Sequence, residues 1–188
     1  MPDHRLKVAV FLDRDGTISE EVGYLNHISR FHMFPFAPAA IRKLNDSGLL
    51  VFVITNQSGI ARGYYPDSLV HAVHDLMTIQ LGNIGAYLDG IYYCPHTSSD
   101  ACACRKPGPG MLEQASVEHG VDLTRSFVVG DRHSDVELAH RVGARSIMVR
   151  TGYGEGEILW HAQQWEIMPH FIAADLSGAT DWILEQTS

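Results

Sequence analysis

A three-layer α/β architecture, with a Rossmann-like parallel sheet flanked by helices, follows from how this chain of 188 residues alternates apolar runs with amphipathic stretches. The apolar runs fall at residues 7–12, 49–54, 87–93, 126–129 and 145–149, and the amphipathic stretches near 37–47, 66–82, 109–119 and 133–142. The runs are continuous rather than alternating, so both faces of each strand need cover. A parallel sheet with right-handed helical crossovers supplies that cover. Several runs also stop at acids, hydroxyls or amides, and the carboxyl ends of parallel strands are where open α/β sheets place their sites.

The first strand lies in KVAVFLDRDGT, residues 7–17, and stops at Asp13 and Asp15. Two acids spaced i and i+2 on a loop can take different roles, one kept ionised by a cation and one poised to give up a proton. That spacing suits a nucleophile and an acid. Residues 17–34 then form a long loop carrying Glu20, Glu21, Tyr24, Asn26 and His27, with side chains able to hydrogen-bond hydroxyls, and should overhang the site as a lid. Pro38 near the start of the first helix and Gly48 after its end mark its bounds. The second strand ends in Thr55, Asn56, Gln57, Ser58 and Gly59, whose hydroxyl, amide and backbone N–H groups make a cradle for phosphate oxygens. Pro66 and Asp67 open the next helix.

After the third strand comes a second insertion, residues 94–106, ending in Arg105 and Lys106 just before a proline-initiated helix. Arg offers bidentate hydrogen bonds to phosphate and Lys a compact charge beside a nucleophile. Gly120 and Gly143 close the later helices. The fourth strand ends in Asp131, followed by Arg132, His133, Ser134 and Asp135. Asp13, the backbone carbonyl of Asp15 and Asp131 can supply oxygen ligands to Mg²⁺, with Asp135 supporting them from behind. From Thr151 on, the spacing around Trp160, Trp165 and Trp182 predicts a docking helix and an edge strand, with the tryptophans packed in the core.

Composition narrows the possibilities. With 45% hydrophobic and 19% charged residues, the chain suits one globular domain, and no linker divides residues 1–188. A formal charge of -8 with no Lys/Arg cluster argues against nucleic-acid binding, while a small anionic substrate needs only a few local cations. No segment has the length of a membrane span and the N-terminus lacks a long apolar stretch, so cytoplasmic residence is expected. Nothing in the sequence suggests a large apolar interface, which makes a monomer the expectation.

All three cysteines, Cys94, Cys102 and Cys104, fall within eleven residues. With His96 they form C-x-H and C-x-C pairs separated by five residues, enough for a tetrahedral ion, and zinc is its natural occupant. A closed Cys₃His set leaves no open position for water, so the metal should be structural and should position the adjoining Arg105 and Lys106. The other histidines, including His27, His32, His71, His74, His119 and His140, show no such grouping and are expected to be surface or locally packed residues.

Together, Asp13-Arg-Asp15-Gly-Thr17, Thr55-Asn56, Lys106 and Gly130-Asp131 through Asp135 resemble the haloacid-dehalogenase superfamily of phosphohydrolases over residues 7 to about 150. Within it, NQSGIARG at 56–63, LDGIYYCPH at 88–96 and CRKPGPGML at 104–112 are similar to the heptose-1,7-bisphosphate 7-phosphatase family. The resemblance implies a phosphorylated-sugar substrate, no separate cap domain, Asp13 as nucleophile, Asp15 as acid and base, and Thr55 and Lys106 as phosphoryl stabilisers. It also implies substrate contacts from Arg105 and from Glu21, Val22, Gly23 and Tyr24, beside the cradle of Asn56, Gln57 and Ser58. Arg132 stands where that family has lysine and is expected to touch substrate. That residue and the short zinc-loop spacing instead look like histidinol-phosphate phosphatase, a close relative. A reading from another class is a zinc-loop interaction module on a retired phosphatase scaffold, against which all four acids and bases, Asp13, Asp15, Lys106 and Asp131, are present.

Overall fold

The computed structural model describes residues 6–187. Six strands form one parallel sheet in the order β3-β2-β1-β4-β5-β6: β1 (Ala9–Leu12), β2 (Leu50–Asn56), β3 (Gly90–Cys94), β4 (Phe127–Gly130), β5 (Arg145–Val149) and β6 (Phe171–Ala173). Among the described residues six α-helices alternate with them: α1 (Ala37–Asp46), α2 (Asp67–Gly82), α3 (Gly110–His119), α4 (His133–Val142), α5 (Gly154–His161) and α6 (Leu176–Thr187).

Side chains alternate across the pleat and split the core in two. Val10, Leu12, Val51 and Val53 meet Ile41 and Leu44 of α1, Val73 and Met77 of α2, and Ile183 of α6 on one face. Ala9, Phe11, Phe52 and Ile54 meet Leu112 and Ala115 of α3 and Leu138 and Ala139 of α4 on the other. This is the expected three-layer arrangement, and no cap domain interrupts it among the described residues.

The helix ends follow their sequence signals. Gly48, Gly120 and Gly143 take positive φ just past α1, α3 and α4, a conformation that lets the last turn close. The apolar run at 87–93 enters the sheet only at Gly90. Before it, both amide ends of Asn45 clasp the backbone of Tyr87, and Asp89 accepts a hydrogen bond from Val51 N–H.

The C-terminal part holds the expected edge strand, β6, and α6 packs beside α1. The core expectation for the tryptophans needs correction at Trp160, which is 75% exposed on α5. Trp182 does pack, stacked on Phe171 at 5.1 Å, whereas Trp165 lies half-buried against the ring of His133 at 4.7 Å. Trp160 falls at the end of an eight-residue helix whose buried residue is Gly154, so no apolar face draws it inward.

The loop at 17–34 is a folded arm. Ile18 N–H and Ser19 N–H both bond to the Arg14 carbonyl, and the arm's two limbs pair through Glu20 N–H to His32 O and Phe34 N–H to Ile18 O. Arg30 stays its tip by donating to the carbonyls of Tyr24 and Val22 and to Asn26 Oδ1.

Candidate active site

Strand ends β1, β2 and β4 and the loop before α3 converge on a cavity of about 440 Å³. Asp13, at the end of the buried strand β1, is 8% exposed. Its Oδ1 lies 2.9 Å from the Lys106 Nζ and accepts from the Arg14 N–H at 2.8 Å. Lys106 is closer still to Asp135, at 2.7 Å, and donates to the Ile54 carbonyl. Burial by itself would lower the Lys106 ammonium, but Asp13 and Asp135 outweigh it and push it up, so the charge stays.

Asp13, Asp131 and Asp135 bring carboxylate oxygens within 4.8 Å of one another. Burial, with Asp13 and Asp135 adding repulsion, pushes Asp131 up; burial likewise raises Asp13 against the pull of Lys106. Three buried acids face one ammonium, a deficit that a hard divalent cation with oxygen ligands fits. Glycine makes this crowding possible: a Cβ on Gly16, where φ is +86°, would lie 2.1 Å from Asp131 Oδ2.

Asp15 is held apart from that cluster. Arg14, itself 1% exposed, donates from Nε and Nη2 to both Asp15 oxygens, the shortest contact being 2.7 Å. Gln57 Nε2 donates to Asp15 Oδ2 and to Thr55 Oγ1, both at 2.9 Å. Behind Arg14, its Nη1 meets His74 Nε2 at 3.2 Å. Because arginine only donates, that nitrogen accepts and His74 is neutral, in keeping with burial, and then Arg14, pushing it down to about 3.

The remaining predicted residues divide by what they do. Ser58, Glu21, Gly23, Tyr24, Arg105 and Arg132 line the cavity, whereas Val22 does not and instead packs against the core below. Glu21 accepts from the Gly23 N–H at 2.6 Å, and burial pushes its carboxyl up. Asn56 lines the cavity but both ends of its amide are engaged with the Lys106 backbone, so it ties β2 to the cationic loop. Glu20 and Asn26 lie away from the cavity, next to His32 and Arg30 respectively.

Sequence reasoning missed Arg14, His74 and Tyr65, whose hydroxyl donates to Gln57 Oε1. It also missed the segment after β5: Tyr153 N–H donates to Asp131 Oδ2 at 2.8 Å, Thr151 bonds to the Gly16 carbonyl, and the Tyr153 ring lies 3.7 Å from the Arg132 guanidinium. Its signal was the TGYG string following a strand, a glycine-rich turn signal at a strand's carboxyl end.

Beside the cavity, Cys94, His96, Cys102 and Cys104 converge, with Sγ and Nδ1 atoms 2.9 to 3.5 Å apart in the contacting pairs. A tetrahedral zinc with bonds of about 2.3 Å would set sulfurs about 3.8 Å apart, so a slight expansion of this cluster accommodates it. Arg105 donates to the His96 carbonyl, which links the cluster to the cations at the cavity.

A protein of Thermosynechococcus vestitus named D-glycero-D-manno-heptose-1,7-bisphosphate 7-phosphatase is 40% identical over 186 residues, 93% of this chain and 94% of that one. This chain belongs to that phosphatase family. A second member, from Photorhabdus laumondii and named for the alpha anomer, is 39% identical over 84% of this chain and 90% of its own. The phosphatase also matches the HAD-hydrolase-like family model over residues 103–179. Its fold superposes on the D,D-heptose 1,7-bisphosphate phosphatase of B. bronchiseptica, complexed with magnesium and phosphate, with a TM-score of 0.87 and 31% identity over 96% of this chain and 99% of that one. The phosphatase is thus an enzyme of the haloacid-dehalogenase type, and the reading as a retired scaffold falls.

Proposed function

We propose that this phosphatase removes the 7-phosphate of D-glycero-D-manno-heptose 1,7-bisphosphate through an aspartyl-phosphate on Asp13. One observation carries the reading: Asp13 and Lys106 lie at the floor of a cavity that Arg105 and Arg132 also line, which provides cations for a second phosphate.

In the first step an Asp13 oxygen attacks phosphorus in line, the bond to the sugar oxygen breaks, and the Asp15 carboxyl gives that oxygen its proton. Arg14 stabilises the carboxylate left behind. In the second step a water, losing its proton to Asp15, attacks phosphorus and releases phosphate and the Asp13 carboxylate. Thr55 and Lys106 share the charge on the equatorial oxygens. Asp13, Asp131 and the Asp15 carbonyl would hold Mg²⁺, with Asp135 behind; when bound, the ion supplies positive charge at the transferring group. Zinc on Cys94, His96, Cys102 and Cys104 would serve structure only. Glu21, Gly23 and Tyr24 would contact the sugar, with Ser58 on its phosphate side, whereas both ends of the Gln57 amide are already engaged by Asp15, Thr55 and Tyr65.

The reading takes the chain as one catalytic domain, lid and zinc loop included, acting as a cytoplasmic monomer on a small phosphorylated sugar without nucleic-acid or membrane partners. No helix of the described residues is long and apolar enough to cross a membrane. The histidinol-phosphate alternative rests on Arg132 and the short zinc spacing, and the relatives above, both carrying heptose names, do not favour it.

The test is phosphate release with Mg²⁺ from both anomers of the heptose bisphosphate and from histidinol phosphate. We expect kcat/KM at least about a hundredfold higher for the bisphosphate, roughly 3 kcal/mol in transition-state binding. The reverse preference would overturn the substrate assignment.

A further inference from the structure

The loop after β2 folds back under the site, and Gly59 makes room for what it carries. A Cβ on Gly59 would lie 2.3 Å from ring carbons of Tyr65, so the ring occupies space that only glycine leaves open. The Tyr65 side chain is 7% exposed and its hydroxyl meets Gln57 Oε1 at 2.9 Å. Gln57, 4% exposed, points its Nε2 at Asp15 Oδ2 and Thr55 Oγ1.

The direction of each hydrogen bond follows from what the partners can do. An ionised Asp15 only accepts, so the amide presents its N–H₂ to the site and its carbonyl oxygen to Tyr65, and the phenol must donate. Burial pushes the Tyr65 phenol up, which keeps that proton in place. Thr55, whose oxygen accepts from Gln57, keeps its single hydroxyl proton free for a phosphoryl oxygen. Without the phenol, a buried amide oxygen loses its partner and the amide loses its fixed orientation.

We propose that Tyr65 and Gln57 are positioning residues for the acid step: the phenol fixes the Gln57 amide, and the amide aims Asp15 at the departing sugar oxygen. This rests on the reading of Asp15 as the acid. Neither residue donates to substrate: the amide hydrogens go to Asp15 and Thr55, and the proton transfer itself runs through Asp15.

Leaving-group dependence tests it. p-Nitrophenolate departs without a proton, whereas a sugar alkoxide does not, and kcat/KM reports the step in which the leaving group departs. Tyr65→Phe should lower kcat/KM on the sugar bisphosphate by about tenfold and on p-nitrophenyl phosphate by less than about twofold. In a Gln57→Met background, adding Tyr65→Phe should cost nothing further, because the phenol acts through the amide. Equal losses on both substrates, no loss on either, or full additivity of the two substitutions would overturn the proposal. Asp15→Asn is the benchmark: a leaving-group-selective loss there but not in Tyr65→Phe sinks the relay alone. No selectivity in Asp15→Asn sinks the relay and the acid assignment together.

Discussion

Asp13 is buried among like charges, and the consequence of removing it can be stated in two measurements. Asp13→Asn takes away the proposed nucleophile and one of three crowded carboxylates, while Lys106 keeps Asp135 at 2.7 Å. We expect kcat to fall at least about a thousandfold with the thermal midpoint within a few degrees of wild type. Activity within tenfold of wild type would remove Asp13 from the mechanism. His74 supplies a pH test. Burial and the neighbouring Arg14 push it down to about 3 from an ordinary value near 6.5. Below that ordinary value the unfolded chain takes up a proton that the folded chain refuses, so stability falls as pH falls from about 6.5 towards about 3, by up to about 1.4 kcal/mol per pH unit. His74→Gln, which keeps an acceptor for Arg14, should flatten that acid limb. Parallel melting-temperature profiles for the two proteins between pH 6.5 and 4 would refute the assignment.

At the scale of elements, the loop from Cys94 to Lys106 places a Cys₃His cluster that could hold zinc and the buried Lys106 cation on one segment. Asn56 holds the Lys106 backbone from one side, and the Cys₃His cluster anchors the other end through the Arg105 bond to His96. Burial pushes the Cys94 thiol up, so forming the thiolate there is unfavourable without a cation beside it. Stripping zinc should therefore raise hydrogen exchange across residues 94–106 and reduce turnover while the sheet amides stay protected. Full activity in protein shown to be zinc-free would refute the positioning role. The arm at 17–34 differs, because Arg30 and backbone pairing tie it together from within.

For the whole molecule, the C-terminal third both completes the core and reaches the site. Leu176, Ala179 and Ile183 of α6 are buried against α1, and Thr151 and Tyr153 brace Gly16 and Asp131. Ending the chain at Arg150 should leave a protein that is inactive and does not melt cooperatively; a cooperative unfolding transition near that of the full chain would contradict the packing described here. The sequence alone determined the α/β order, the helix stops at Gly48, Gly120 and Gly143, the acids at strand ends and the metal-ligand spacing of Cys94, His96, Cys102 and Cys104. These are local: period, turn chemistry and short-range spacing act within one element and its flanks. Tertiary structure decided that Arg14 clamps Asp15 over His74, that Tyr65 orients Gln57, that Asn56 serves the Lys106 loop, and that Tyr153 closes on Asp131. Each joins residues from different strand ends, and what brings them together is the burial of the sheet's two faces, which no single segment of the sequence encodes.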